Sequence, residues 1–199
     1  MTASASPPAQ IEFNTPGSWV ALRFPHTEAD VDALIAELLS RHPELEPRRD
    51  LAVSVFRTLS QVSRVANCLY AGGGFLPLPG GPMPVTLFVN ALPLEAAGTP
   101  PDLMTAAATA KSPGRRDYVT TEVELRCGKA VRAEWFQAAQ LASTDAAVVS
   151  FLTQYFVLPR DTDSFLVLTF SSPAVALTRR LRKLFADIAG SLTLTSSPP

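Results

Sequence analysis

Residues 148–192 constrain the fold more than any other stretch. Residues 148–158 form an apolar run rich in β-branched and aromatic side chains, 159–163 a polar turn beginning Pro159-Arg160-Asp161, and 164–170 a second apolar run. Two such runs bounded by turn formers predict a β-hairpin. Apolar residues on both faces of the second run predict a strand covered from both sides. Ser172-Pro173 then predicts a helix start, because Ser caps free N–H groups and Pro fits the first helical position. Leu177, Leu181, Leu184, Phe185, Ile188 and Leu192 follow at helical spacing. The expectation is a hairpin at the centre of a sheet with the closing helix packed across it.

The rest of the chain reads around that unit. A strand is expected at about 18–24, with Trp19 and Ala21 on one side and Val20, Leu22 and Phe24 on the other. Thr27-Glu28-Ala29-Asp30 opens a helix whose stripe is Val31, Leu34, Ile35, Leu38 and Leu39, and His42-Pro43 ends it. A second helix over 48–66 carries the stripe Leu51, Val55, Leu59 and Val62. Residues 69–75 predict a strand interrupted by Gly72-Gly73-Gly74, and 76–84 a proline-rich loop, since each Pro removes a donor. A strand at 85–90 and a short helix at 103–110 follow.

Residues 117–137 predict another hairpin, in which opposed residues must share a face. Val123 and Leu125 are expected to face inward, as are Val131, Ala133 and Trp135. A two-residue Gly128-Lys129 loop would set Val123 opposite Glu134 and put charge on the core face. A three-residue Cys127-Gly128-Lys129 loop pairs Leu125 with Val131 and Val123 with Ala133, and sets Glu124 opposite Arg132, a pair worth about 0.2–1 kcal/mol. That register is the expectation. The order of elements predicts an α+β fold with an antiparallel sheet and helices packed on it.

Size and charge narrow the function. A chain of 199 residues, 47% of them apolar, suits a single domain with a real core, spanning 1–199 with frayed ends at about 1–10 and 193–199. A net charge of −1 and 18% charged residues create no field for nucleic acid or an anionic membrane. The start lacks the basic and apolar segments of a secretory signal, and no run reaches the roughly 20 apolar residues of a membrane span. Cys68 and Cys127 then read as reduced thiols in a cytoplasmic protein without membrane insertion. Arg far outnumbers Lys among the 17 basic residues, and Ala and Pro are abundant, as in GC-rich actinobacterial genomes.

Chemistry-bearing motifs are sparse. Gly72-Gly73-Gly74 is not followed by the Gly-Lys-Ser/Thr of a phosphate loop, and no Gly-x-Ser-x-Gly elbow exists. His26 and His42 lack neighbours at metal-ligand spacing. No catalytic residue, cofactor or metal ligand is therefore expected. Two surfaces remain. Phe75, Leu76, Leu78 and Met83 could offer an adaptable apolar surface to a partner, since long loops tend to be functional. Glu122, Glu124, Arg126 and Arg132 are expected to line one sheet face as a charged cluster, with Glu134 close by.

Phe165-Leu166-Val167-Leu168-Thr169-Phe170-Ser171-Ser172-Pro173, then a helix ending Leu184-Phe185-Ala186-Asp187-Ile188-Ala189-Gly190-Ser191-Leu192, resembles the end of Mog1/PsbP-like domains. Pro16-Gly17 and Trp19-Val20-Ala21-Leu22 are similar to their opening. The resemblance covers about half of the chain, and residues 72–116 have no place in it. It implies an antiparallel sheet sandwiched by α-helices. It also implies non-catalytic binding, as an adaptor or chaperone-like domain for another protein, such as a component or cargo of a specialised secretion system. Two other readings remain: a small-molecule-binding or hydrolytic domain with a cleft beside the Gly/Pro-rich loop, and a self-associating protein.

Overall fold

The computed structural model describes residues 10–93, 115–140, 147–160 and 164–195. The strands are β1 (Gln10–Glu12), β2 (Val20–Leu22), β3 (Tyr70–Leu76), β4 (Met83–Pro93), β5 (Arg115–Leu125), β6 (Gly128–Gln140), β7 (Ala147–Pro159), β8 (Ser164–Ser172) and β9 (Thr193–Thr195). The helices are α1 (Glu28–Arg41), α2 (Arg49–Val65) and α3 (Thr178–Gly190), with 3-10 turns at Pro43–Arg48 and Val175–Leu177. Seven strands form one antiparallel sheet in the order β2-β3-β4-β8-β7-β6-β5. β1 and β9 pair separately, Ile11 opposite Leu194, so Thr193–Thr195 is a strand where composition suggested a loose end. The helix expected at 103–110 lies outside the described residues.

The β7–β8 hairpin takes its expected place. β8 is the middle strand, Phe156 opposes Val167, and α3 crosses the face carrying Phe151, Tyr155, Leu168 and Phe170. Phe185 of α3 stacks on Phe170 at 4.8 Å and on Phe151 at 6.1 Å between ring centroids. All three rings are fully buried, and burying such a side chain contributes about 1.5–3 kcal/mol. The helix begins later than Ser172-Pro173 suggested. The Ser172 hydroxyl accepts from the Ala174 N–H (3.2 Å) and donates to the Pro84 carbonyl (2.8 Å), tying β8 to β4 before α3 starts.

α1 and α2 cover the other face at β2 and β3. Val20, Leu22, Ala71 and Phe75 pack there against Val31, Ile35, Leu38, Phe56 and Leu59. Thr27 caps α1 as expected: its hydroxyl accepts from the Asp30 N–H (3.3 Å), and its own N–H donates to the Asp30 carboxylate (2.7 Å). These Thr27 groups hold the Asp30 carboxyl below its ordinary pKa. α2 is rotated from the expected stripe. It buries Ala52, Phe56, Leu59, Ser60 and Ser63 and leaves Val62 exposed, because small side chains let the helix lie close to the sheet.

Glycine makes that approach possible. β3 runs unbroken through Gly72-Gly73-Gly74 rather than being interrupted. A Cβ on Gly73 would sit 2.8 Å from the Val85 carbonyl and 3.2 Å from Leu59 Cδ1 of α2. One on Gly72 would meet the Trp19 indole nitrogen at 2.7 Å, where that N–H donates to the Tyr70 hydroxyl (2.9 Å). β4 likewise starts at Met83, inside the stretch expected to be irregular, with Leu76 opposite Met83.

The β5–β6 register corrects the expectation. The turn is the two-residue Arg126-Cys127, so Leu125 opposes Gly128, Val123 opposes Ala130, Glu124 opposes Lys129 and Thr121 opposes Arg132. A side chain on Gly128 would collide with the Leu158 carbonyl, which favours the glycine at this position. Val123, Leu125 and Ala130 face α3, while Ala133 and Trp135 face the opposite way, with Phe156 and Phe165. The expectation assigned all inward residues to one side, but this sheet is apolar on both.

Gly73→Ala is expected to destabilise the fold by about 1–3 kcal/mol through overpacking between α2 and β4. Gly190→Ala, with open space around it, is expected to be neutral. Urea unfolding of the two variants checks the contrast.

Candidate functional site

The structure does not assemble the expected site residues into one surface. Phe75 and Leu76 are buried on opposite faces of β3, and Leu78 and Met83 are half-buried against the α3-side core. This stretch covers its own core. Glu122 and Glu124 point away from α3, Arg126 sits in the turn, and Arg132 faces α3. Glu124 instead pairs with Arg160 at 2.9 Å.

The histidines make local contacts. His26 Nε2 lies 2.9 Å from Ser60 Oγ, a serine–histidine contact that the sequence did not foresee. Ser60 is buried within α2, and among the described residues no hydrogen bond orients His26 Nδ1, the position where a third group would align a catalytic base. His42 contacts Glu44 at 3.0 Å. Among the described residues no group of three or more His, Cys, Asp or Glu is placed to hold a metal ion. Cys68 and Cys127 are free thiols, and burial raises the pKa of each.

Glu134 is the residue that sequence reasoning kept off the core face, and it is buried there. Its Oε2 accepts from Arg182 Nε of α3 at 2.8 Å, and its Oε1 lies 3.4 Å from Arg132 Nε. Thr153 stands opposite Glu134 and Tyr155 opposite Arg132, both fully buried. Their hydroxyls, Glu134 Oε1 and Arg132 Nε make no hydrogen bond. Burial pushes the Tyr155 hydroxyl up to about 12, while the Arg132 cation pulls it the other way. A buried carboxylate is tolerable when paired, and the arginine of the closing helix supplies the pair. The available signal was a lone Glu in the apolar run Ala133-Glu134-Trp135-Phe136, together with an Arg on the last helix.

This contact roots a protruding ribbon. Among the described residues, β6 and β7 run past both neighbours. The last β5 pair is Arg115 with Gln137, the last β8 pair is Ser172 with Phe151, and Ala138–Val149, Ala139–Val148 and Gln140–Ala147 pair beyond them. Ala138, Ala139, Ala147, Val148 and Val149 are exposed, and no charged side chain stands in these three pairs. Arginines surround the root. The Arg182 guanidinium lies 5.5 Å from the Phe151 ring, Arg115 lies 4.3 Å from the Trp135 ring, and exposed Arg116 opposes Phe136. The Trp135 indole donates to Gln137 Oε1 at 3.2 Å. An apolar ribbon with an arginine collar suits docking, because interface cores favour apolar and aromatic contact and arginine while excluding most other charges.

No protein-family model matches the chain, and no curated protein matches it by sequence. Among solved structures it is similar to LpqN of Mycobacterium tuberculosis, described as involved in cell envelope biogenesis. The TM-score is 0.50 at 14% identity, over 94% of this chain and 84% of LpqN. The likeness is one of fold, to a protein from an actinobacterium. No helix among the described residues is long and apolar enough to cross a membrane.

Arg182→Met is expected to cost about 1–2 kcal/mol, discounted for the half-exposed arginine, because it leaves the Glu134 carboxylate poorly paired. Adding Glu134→Gln to that variant is expected to recover part of the loss. Urea unfolding of the single and double variants measures it, and a double variant no more stable than the single would contradict the pairing.

Proposed function

We propose that this chain is a non-catalytic accessory domain that docks onto another protein through the β6–β7 ribbon. The observation that carries the reading is the exposed, uncharged ribbon extending, among the described residues, beyond β5 and β8 with arginines at its root. Exposed apolar surface of this kind marks interaction sites. The adaptor-like roles implied by the Mog1/PsbP resemblance agree with it. The likeness of fold to LpqN makes cell envelope biogenesis the first setting in which to seek the partner, beside the specialised secretion systems that the Mog1/PsbP resemblance implies. Fold alone does not fix function, so the ribbon bears the argument.

A photo-crosslinking residue placed at Val149 in the native cells is expected to yield one dominant protein adduct. The same residue at Val65, an even more exposed valine on α2, is expected to yield none. Equal labelling from both positions, or no adduct from Val149, would contradict docking through the ribbon.

A further inference from the structure

The two edges of the seven-stranded sheet are unlike. β2 is three residues long, whereas β5 is an 11-residue edge strand. No described strand pairs with its outer side. Its middle, Tyr118-Val119-Thr120-Thr121-Glu122-Val123, is rich in β-branched residues. Val119, Thr120, Thr121 and Glu122 are exposed. Sheet edges are commonly guarded by short length, lysine or proline, and β5 contains neither residue. It does contain a bulge: Asp117 has φ 54°, and Asp117 and Tyr118 together oppose Trp135.

Charge is graded along this edge. Arg115, Arg116 and Asp117 give its start a net positive charge, and Glu122 and Glu124 make its end negative; the bulge at Asp117 takes that carboxylate out of the regular pairing. Two parallel copies in register would set like charges against each other, which is destabilising. Two antiparallel copies do the opposite. Facing residues must share a side of the sheet, so a twofold axis at Thr120 sets Tyr118 opposite Glu122 of the second copy. Past the bulge the register moves by one, which brings Arg115 opposite Glu124 and Arg116 opposite Val123 of the second copy. Arg115 and Glu124 lie on the same side of the sheet, away from α3, and the symmetry makes each such contact twice. The charges that guard the edge against strangers thus fit a second copy of the same edge.

We propose that β5 is the interface through which two copies of this chain join edge to edge, antiparallel about a twofold axis at Thr120, into one continuous sheet. The ribbon rises beside the start of β5. The twofold therefore places the two ribbons at opposite ends of the seam, where they can engage two sites of one partner assembly. The inference does not depend on the ribbon's role.

Sedimentation equilibrium of the full chain over a wide concentration range tests it. A reversible dimer is expected, and Glu122→Lys with Glu124→Lys is expected to weaken it by roughly tenfold or more. The same charge change at exposed Glu44 and Glu46 is expected to leave it intact. Thr120→Cys is expected to oxidise to a covalent dimer, since opposed residues at the axis lie within disulfide reach, whereas Thr58→Cys on exposed α2 is not. A chain that stays monomeric throughout leaves the edge to an extended segment of another protein and overturns the proposal. So does a dimer indifferent to the β5 charges, or equal crosslinking at Thr58.

Discussion

The stack of Phe170, Phe185 and Phe151 fastens α3 to the middle of the sheet, and the rest of the molecule is arranged about it. With α3 committed to one face, the chain that enters β1 returns to meet β9, and the sheet keeps a second apolar face. α1 and α2 cover that face at β2 and β3. Trp135, Phe156 and Phe165 extend it toward β6. A sheet apolar on both faces has no general outside for its charges. Charged residues must sit at edges and turns, or be paired inside. Glu134 takes the second course, and Glu122 and Glu124 on edge strand β5 the first.

Much of this was legible in the sequence, wherever one local signal dominated. The central hairpin followed from two apolar runs around a polar turn, and α1 from the Thr27–Asp30 capping pattern. The stripe of α3 followed from its spacing, and Leu181, Phe185 and Ile188 are buried as that spacing required. The failures occurred where a local rule met a tertiary fact. Three glycines suggest a break in a strand, but here they admit Leu59 and Trp19 close to the backbone. The parity argument for β5–β6 excluded charge from the core face without knowing that Arg182, 48 residues later, would meet Glu134 there. Phe75, Leu76, Leu78 and Met83, which suggested a partner surface, are buried or half-buried, the last three against the α3-side core.

The candidate site was less legible than the fold. The ribbon gave no motif, because Ala138, Ala139, Val148 and Val149 look like any strand until the shorter extents of β5 and β8 are known. Its arginine collar is contributed by β5 and α3, elements far apart in sequence. The root of the ribbon is held by the Glu134–Arg182 ion pair and by arginines over the Trp135 and Phe151 rings.

The register of β5 against β6 is the central claim, because it sets which β5 residues face α3 and where charge falls along the edge strand. Cross-strand proton contacts in the NMR spectrum of the labelled chain measure it directly. The account predicts contacts joining Val123 to Ala130 and Thr121 to Arg132. Contacts joining Leu125 to Val131 and Val123 to Ala133 would contradict it.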